Sequence, residues 1–147
     1  MTTPKENIIT HSALQVLEEA KVLAESGGDL YLTPEHILYV LNGKEPFRKC
    51  LQENGYDADM IDMAILSFLA YCPSERKEDN KIKLSRPLVW ALGNAINEAD
   101  EKGQQPVGIQ HLIYGISELE ESLAGYLLRE KGNSISELIK ATANQYK

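Results

Sequence analysis

The sequence LTPEHILYVL at residues 32–41 decides the fold, because a fainter copy of it, VGIQHLIYGI, occupies residues 107–116. The two histidines, His36 and His111, lie 75 positions apart. The same offset aligns further pairs, namely Leu17 with Leu92, Ala20 with Ala95, Ala24 with Ala99 and Tyr39 with Tyr114. An offset of 77 then aligns LQENG at residues 51–55 with LREKG at residues 128–132, which indicates two extra residues in a loop of the second copy.

Composition limits the class of protein. The 147 residues are 43% hydrophobic, which is enough for one core shared by two copies of a unit of roughly 65 residues. The net charge is −7, with 22 acidic and 15 basic side chains, so we expect no nucleic-acid partner. No stretch approaches the ~20 apolar residues of a membrane span, and residues 1–7 lack the apolar run of a secretory signal. We therefore expect a cytoplasmic protein with no membrane contact.

The first two helices are predicted from apolar spacing and from their end signals. Apolar residues recur at helical spacing from Ser12, and the glycine pair at residues 27–28 ends this helix. Thr33 is a natural N-cap because its hydroxyl can accept a hydrogen bond from a free amide, and Pro34 suits the first helical position. The second helix therefore starts at Pro34 and ends at residues 42–43, an Asn-Gly pair.

Two more helices complete the first copy. Pro46 opens a short third helix, which the Asn-Gly pair at residues 54–55 closes with a left-handed cap. Asp57 caps a fourth helix that ends before Pro73. We expect one side of this fourth helix to be buried through Met60, Ile61, Ala64, Ile65, Phe68 and Leu69.

The second copy repeats the plan of the first. We place repeat one at about 8–72, a charged connector at about 73–84 and repeat two at about 85–145, all within a single domain of residues 1–147. No alternating run predicts a strand. The predicted fold is therefore all-α, with eight helices in two pseudo-two-fold-related repeats of four helices each.

The residues that could carry chemistry have simpler structural explanations. His36 and His111 are candidates for metal binding or acid–base work, but each lies in the first turn of a short helix, where a ring nitrogen can satisfy backbone groups, and we favour that role. Neither an HxxxH nor a CxxC pair is present, so Cys50 and Cys72 are expected to be buried thiols. We predict no metal and no cofactor.

Catalytic motifs are absent from the sequence. Gly43 is followed by Lys-Glu rather than by the Lys-Ser or Lys-Thr of a phosphate-binding loop, and no GxSxG elbow occurs. We therefore expect a protein that is not itself an enzyme. We predict that Glu35 is an exposed carboxylate in the first turn of a helix, where the helix dipole favours negative charge. The large aromatic side chains are expected in the core rather than on a ligand platform, and they are Trp90, Tyr31, Tyr39, Tyr114 and Tyr126.

With the repeat in view, two segments carry a family resemblance: TPEHIL at residues 33–38 and AGYLLR at residues 124–129. The chain, from about residue 7 to 143, resembles the amino-terminal domain of the Clp family of AAA+ unfoldases, and the ClpA type most. The resemblance implies an eight-helix double repeat, tethered above an ATPase ring, that docks adaptors and substrates bound for unfolding and degradation.

The resemblance also implies site residues. In the ClpC type, the glutamate before each repeat's histidine takes part in phosphoarginine recognition; Glu35 keeps that place here, whereas the second repeat has Gln110, a neutral amide that cannot pair with a guanidinium as a carboxylate does. In the ClpA type, the docking surface for the adaptor ClpS includes the position of Glu35 and the start of the second repeat, which here is Lys83. An acidic position six before the histidine falls on Leu30, next to Asp29.

From the resemblance we expect a non-catalytic adaptor- and substrate-docking domain of a ClpA/ClpC-like ATP-dependent unfoldase in regulated protein degradation. Its partners would be a ClpS-type adaptor, substrate proteins and, through a parent chain, a Clp ATPase ring with its protease; the isolated domain would be a monomer. One alternative is a free-standing regulator that competes for adaptors, and another is an enzyme that uses His36 or His111. The expected binding surface comprises Glu35, Asp29, Leu30, Tyr31, Thr33, Lys83 and Gln110.

Overall fold

Eight helices and two short strands form the secondary structure of residues 8–72, 81–132 and 134–146, which are the residues described by the structure, a computed structural model. The helices of the first repeat are α1 (His11–Ser26), α2 (Pro34–Asn42), α3 (Glu45–Glu53) and α4 (Ala58–Ala70). Those of the second are α5 (Arg86–Glu101), α6 (Ile109–Ser117), α7 (Leu123–Arg129) and α8 (Ser134–Gln145). The strands are β1 (Tyr31–Leu32) and β2 (Lys83–Leu84). The predicted helix order is confirmed.

Side-chain caps begin most of these helices. The hydroxyl of Thr33 accepts a hydrogen bond from the backbone N–H of His36, and the carboxylate of Asp57 accepts one from Met60, as the sequence predicted. Ser85 caps α5 in the same way. Each capping group satisfies an amide that has no partner inside its own helix, so the chain is fixed at the points where the connections enter the helices.

Two matching backbone pairings join the repeats. β1 and β2 pair in parallel, with Leu32 opposite Leu84, and an isolated parallel bridge joins Ile9 to Val107. The repeat offset of 75 relates Ile9 to Leu84 and Leu32 to Val107. The bridge between Ile9 and Val107 and the pairing of Leu32 with Leu84 are therefore pseudo-symmetric copies of each other. The connection before α1 therefore pairs with the connection before α6, and the one before α2 pairs with the one before α5. This reciprocity is the pseudo-two-fold relation of the repeats.

Close packing of small residues holds α5 against α6. Ala91 and Ala95 are buried on α5, and a Cβ added to Gly115 of α6 would lie 2.2 Å from the carbonyl oxygen of Ala91. The two helices thus approach more closely than any side chain at Gly115 would permit. The predicted burial of Ala95 is confirmed, and so is that of its counterpart Ala20, which is fully buried on α1.

Several predicted core positions are in fact exposed. On α4, Ile61 and Ile65 are fully buried, but Met60 is 40% and Phe68 38% exposed, so the predicted burial of these two was wrong. The helix is apolar around most of its circumference, and for such a helix apolar spacing does not identify the buried side. The assignment of aromatic side chains to the core was also wrong for Tyr31, Trp90 and Tyr126, which are all substantially exposed.

The connector and the strands differ in part from expectation. Residues 73–80 of the predicted connector lie outside the described residues, whereas its last two residues, Lys83 and Leu84, form β2. The sequence predicted no strand because two residues are too few to show alternation. Among the described residues, no helix has the length and apolar character needed to cross a membrane.

Candidate functional site

The two histidines of the repeat cap their own helices. Nδ1 of His36 accepts a hydrogen bond from the backbone N–H of Thr33 at 3.0 Å, and Nδ1 of His111 accepts one from Gly108 at 2.9 Å. Since Nδ1 is an acceptor in both rings, Nε2 carries the proton and donates to the preceding loop. The structural role predicted for both histidines is confirmed.

The partners of the two rings differ between repeats. Nε2 of His36 donates to the Asp29 carboxylate at 2.8 Å, whereas Nε2 of His111 donates to the side-chain oxygen of Gln104 at 3.0 Å. Burial lowers the pKa of His111, and the negative charge of Glu98 opposes this effect. Over the described ranges of the chain, no three His, Cys, Asp or Glu side chains are grouped so that they could hold a metal ion.

The two cysteines are free thiols, Cys50 buried and Cys72 partly buried. Burial raises the pKa of the Cys50 thiol, and the nearby charge of Glu53 raises it further. Burial also raises the pKa of Cys72, with added effect from Asp29 and Glu35. Both thiols therefore stay protonated near neutral pH, in the form that is a weak nucleophile.

Glu35 is buried, so the expectation that its carboxylate faces solvent was wrong. Glu35 is 3% exposed. Its Oε2 accepts hydrogen bonds from the Ser122 hydroxyl at 2.8 Å and from the Ala124 backbone N–H at 2.9 Å. The carboxylate satisfies the start of α7 in the other repeat, where donors lack intrahelical partners. Local helix physics allowed exposure, but the pseudo-two-fold packing brings α7 over this position.

The remaining predicted site residues fall into two groups. Asp29 and Thr33 are engaged internally with His36, and Leu30 is partly buried. Gln110, the counterpart of Glu35, is also partly buried. Its side-chain oxygen lies so close to Gly108 that a Cβ there would be 2.5 Å from it. These residues make contacts inside the protein near the connections that precede α2 and α6.

Tyr31 and Lys83 are the predicted site residues that the structure brings together at the surface. They are opposite one another in the parallel β1–β2 pair, Tyr31 is 46% exposed and Lys83 is also exposed. Leu84, the next residue of β2, is 46% exposed as well. The strand pair therefore exposes an aromatic, a cationic and an aliphatic side chain.

A groove extends from this strand pair along the outer face of α5. One part, with a volume of about 770 Å³, lies between the strand pair and α5; its lining includes Tyr31, Leu84, Val89 and Trp90. The second part, about 880 Å³, lies between α5 and the α6–α7 loop. Its lining includes Trp90, Gly93 and Asn97 on α5 and Glu118, Leu119, Glu120, Glu121 and Ser122 on the loop, so this part is acidic on the loop side. Trp90 is 65% exposed and lines both parts. We call these two parts together the α5 groove.

The wall of the α5 groove opposite α5 is fixed by buried polar contacts. The Arg129 guanidinium donates to the carbonyl oxygens of Ser117, at 2.8 Å, and of Leu119. Ser122, which lines the groove, is tied to the Glu35 carboxylate. These bonds tie the α6–α7 loop to α7 and to α2, so this wall of the groove is held in place without a ligand.

Comparison with known proteins gives the family. The family described as Clp repeat (R) N-terminal domain matches residues 8–131. The chain belongs to this Clp N-domain family. A curated relative of the Clp N domain, the chaperone protein ClpB 1 of Parasynechococcus marenigrum (strain WH8102), is 25% identical over 142 residues, which are 94% of this chain and 16% of that protein. The chain thus spans about a sixth of its relative's length.

Solved structures show the same Clp N-domain fold. The Hsp104 N-terminal domain from Candida albicans superposes with a TM-score of 0.76 at 17% identity, covering 91% of this chain and 88% of that one. The ClpV N-domain in complex with a VipB peptide superposes with a TM-score of 0.71 at 19% identity, covering 92% of this chain and 89% of that one. At such identities the likeness shows the fold of the Clp N domain and no more.

Sequence reasoning missed the part of this Clp N domain that lines the groove on α5. Leu88, Ala91, Ala95 and Ala99 form the buried stripe of that helix, and Trp90 lies outside it. The helical period of 3.6 places a residue two positions from Leu88 about 200° around the axis, away from the core. That period could have identified Trp90 as exposed, had its size and hydrophobicity not favoured burial.

Proposed function

We propose that this Clp N domain captures peptide segments of adaptor and substrate proteins in the α5 groove. The observation that carries the proposal is the exposure of Trp90, 65% accessible, in the middle of a preformed groove beside Tyr31 and Leu84. Large apolar side chains kept in water forgo about 1.5–3 kcal/mol of burial each. Exposed tryptophan and tyrosine in a concave site are the side chains that most often dominate binding energy in protein interfaces.

Hydrogen bonds behind the walls of the groove make it suited to recognition of a ligand rather than to catalysis. Its walls are fixed by the contacts of Arg129 and Glu35, so a ligand would meet a surface that loses little freedom on binding. Glu35 therefore serves the site as a positioning residue beneath the surface, as do Asp29 and Thr33, which brace β1 through His36. Leu30, which is partly buried, would support β1 from inside the protein. Gln110 would form a second, weaker edge of the docking surface.

A solved relative supports peptide binding by this fold. The ClpV N-domain has been solved as a complex with a VipB peptide, and it shares its fold with this chain. Following that precedent, we assign to the α5 groove the docking of segments from partner proteins. The adaptor would be of the ClpS type, and the parent would be a ClpA/ClpC-like ATP-dependent unfoldase that acts in regulated degradation. Its ATPase ring and associated protease would receive what the domain captures.

The test compares two matched surface substitutions. Trp90→Gln removes an apolar side chain from the groove, and Met63→Gln removes one of similar exposure, 68% against 65%, from the outer face of α4. Binding is measured by fluorescence anisotropy with labelled, permanently unfolded α-lactalbumin and, separately, with a purified ClpS-type adaptor. We expect Trp90→Gln to weaken binding by at least about tenfold and Met63→Gln by less than about twofold.

A second variant blocks the groove without weakening the fold. A Cβ added at Gly93 meets no atom within 4 Å, and Gly93 lies on the groove side of α5. Gly93→Leu should therefore preserve folding while its side chain occupies the groove, because leucine favours helix over glycine by about 0.5–1 kcal/mol. Loss of binding in this variant, with an unchanged or higher melting temperature, supports the proposal. Full binding by both Trp90→Gln and Gly93→Leu contradicts it.

A further inference from the structure

The outer edge of β2 offers backbone hydrogen-bonding groups to an extended chain. The N–H groups of Lys83 and Ser85 point inward and donate to the carbonyl oxygens of Leu30, at 3.4 Å, and of Leu32, at 2.9 Å. Because backbone groups alternate in direction along a strand, the N–H and C=O of Leu84 point away from β1. In the described residues, the sheet has the two strands β1 and β2, and both residues of β2 are exposed. An edge of this kind is a template for a further strand.

Positive charge is concentrated along the same edge. Lys81, Lys83 and Arg86 are exposed within six consecutive residues of a protein whose net charge is −7. Within the described part of the chain, none of the three forms an ion pair. Their charges are therefore available to a partner, and the partner that complements them carries carboxylates.

An apolar hollow adjoins the edge. Tyr31, Leu84, Val89 and Trp90 line the part of the α5 groove next to β2, together with Ser85 and Arg86, and this part has a volume of about 770 Å³. In a strand, successive side chains point to opposite faces, so a strand laid along β2 would direct every second side chain toward this hollow. There an apolar side chain would meet Trp90 and Val89, and a carboxylate would meet Arg86. The edge of β2 favours an extended ligand, the cations favour carboxylates and the hollow favours apolar side chains.

We propose that an acidic, extended segment of a partner protein docks by adding a third strand along β2, with its carboxylates near Lys83 and Arg86 and its apolar side chains toward Trp90. This inference rests on the docking function proposed above and specifies its mode: main-chain hydrogen bonds supply part of the affinity, and the acidic and apolar side chains of the segment supply selectivity. A helical ligand in the same groove would use none of the outward groups of Leu84.

The test alters the ligand's backbone rather than the protein. The probe is a blocked, fluorescein-labelled peptide of alternating glutamate and valine, a sequence that favours extended structure once its charges are neutralised. Two further probes carry N-methyl groups on alternate amides, one on the odd positions and one on the even positions. Strand addition uses only every second amide of the peptide, so we expect one methylated probe to bind at least about tenfold more weakly and the other within about threefold of the parent. Equal binding, or equal loss, for the two methylated probes overturns strand addition.

Charge is tested with two double variants of equal net charge. Lys83→Gln with Arg86→Gln removes the cations beside β2, and Lys49→Gln with Lys131→Gln removes two exposed cations elsewhere; both take the net charge from −7 to −9. We expect the first pair to weaken binding of the glutamate probe at least about fivefold more than the second pair does, with the difference lost at high salt. Equal effects of the two pairs overturn the assignment of the acidic partner.

The outcomes separate this inference from the docking function. If unfolded α-lactalbumin binds and Trp90→Gln abolishes its binding, while the two methylated probes bind alike, the groove is a docking site and strand addition is wrong. If Trp90→Gln and Gly93→Leu leave all binding intact, the docking function fails, and the inference that rests on it fails as well.

Discussion

The carboxylate of Glu35, in the first repeat, accepts a 2.8 Å hydrogen bond from the hydroxyl of Ser122, in the second. The same oxygen accepts the N–H of Ala124 at 2.9 Å, so one buried carboxylate ties α2 to the start of α7. Hydrogen bonds to a buried charged group are stronger than neutral ones, and removing the acceptor leaves two donors without partners. This contact is therefore both a link between the repeats and a support for the wall of the α5 groove.

Glu35→Ala should lower the free energy of unfolding by about 2–4 kcal/mol, because the Ser122 hydroxyl and the Ala124 amide lose their acceptor inside the protein. Glu35→Gln should cost less, since the amide oxygen can still accept. The matched control is Gln110→Ala at the equivalent place in repeat two, which we expect to cost less than about 1 kcal/mol. Urea denaturation measures all three, and a Glu35→Ala protein as stable as wild type would contradict the buried contact.

Two glycines provide opposite predictions for the same substitution. Gly115→Ala should destabilise the protein by about 1–3 kcal/mol, because its Cβ would lie 2.2 Å from the carbonyl oxygen of Ala91 and force α5 and α6 apart. Gly93→Ala meets open space and should stabilise the protein by about 0.5–1 kcal/mol through helix propensity. Thermal melting of both variants is the measurement. A rise in melting temperature for Gly115→Ala would show that the helices can separate at little cost.

His111 should make the protein less stable in mild acid. Burial lowers its pKa from the ordinary value of 6.5, so between the folded pKa and 6.5 the unfolded state binds more protons than the folded state. The contribution of His111 to stability is thus complete above pH 6.5 and is lost as the pH falls through the folded pKa. Denaturation between pH 4.5 and 7.5 should show a smaller pH dependence for His111→Asn, whose side-chain oxygen can replace Nδ1. Identical pH profiles for the two proteins would refute this source of acid sensitivity.

Tyr56 should make the protein less stable in alkali. Its hydroxyl donates to the carbonyl oxygen of Leu128 at 2.7 Å, and burial, with the negative charge of Glu130, raises its pKa from 10 to about 12. The folded state therefore holds the proton more tightly than the unfolded state, and this stability is present below pH 10 and lost as the pH rises toward 12. Tyr56→Phe should cost about 1 kcal/mol at pH 7. It should also reduce the fall in stability between pH 10 and 12, and an unchanged fall would contradict the assignment.

Local sequence signals predicted most of the fold. Thr33 and Asp57 each combine a capping side chain with a following apolar pattern, and the start of a helix depends mainly on such neighbouring residues. The repeat offset of 75 then predicted the second set of helices from the first. It also aligns Ile9 with Leu84 and Leu32 with Val107, the residues whose backbone pairings join the repeats. Those pairings were not predicted because two-residue strands leave no periodic pattern.

The candidate site was predicted less well, for a physical reason. Tyr31 and Lys83 do meet at the surface, but Glu35 lies under α7 and Trp90 lies in solvent. The Glu35 error concerns a contact between residues far apart in the chain, since Glu35 and Ser122 are separated by 87 positions. The Trp90 error came from weighing residue type above the helical period, which places Trp90 opposite the buried stripe of α5. Residue type suggests burial for tryptophan and exposure for glutamate. For Glu35, the packing of one repeat on the other reverses that preference.

The most direct test of the docking function is a nuclear magnetic resonance titration of the ¹⁵N-labelled domain with unfolded α-lactalbumin. The side-chain indole N–H of Trp90 reports on the α5 groove, because Trp90 is the only tryptophan of the chain. Docking in the groove predicts that this signal and the amides of Leu84 and Gly93 shift or broaden first, while those of Met63 on α4 remain unchanged. Perturbations confined to α4, with the Trp90 indole signal unaffected, would contradict the account.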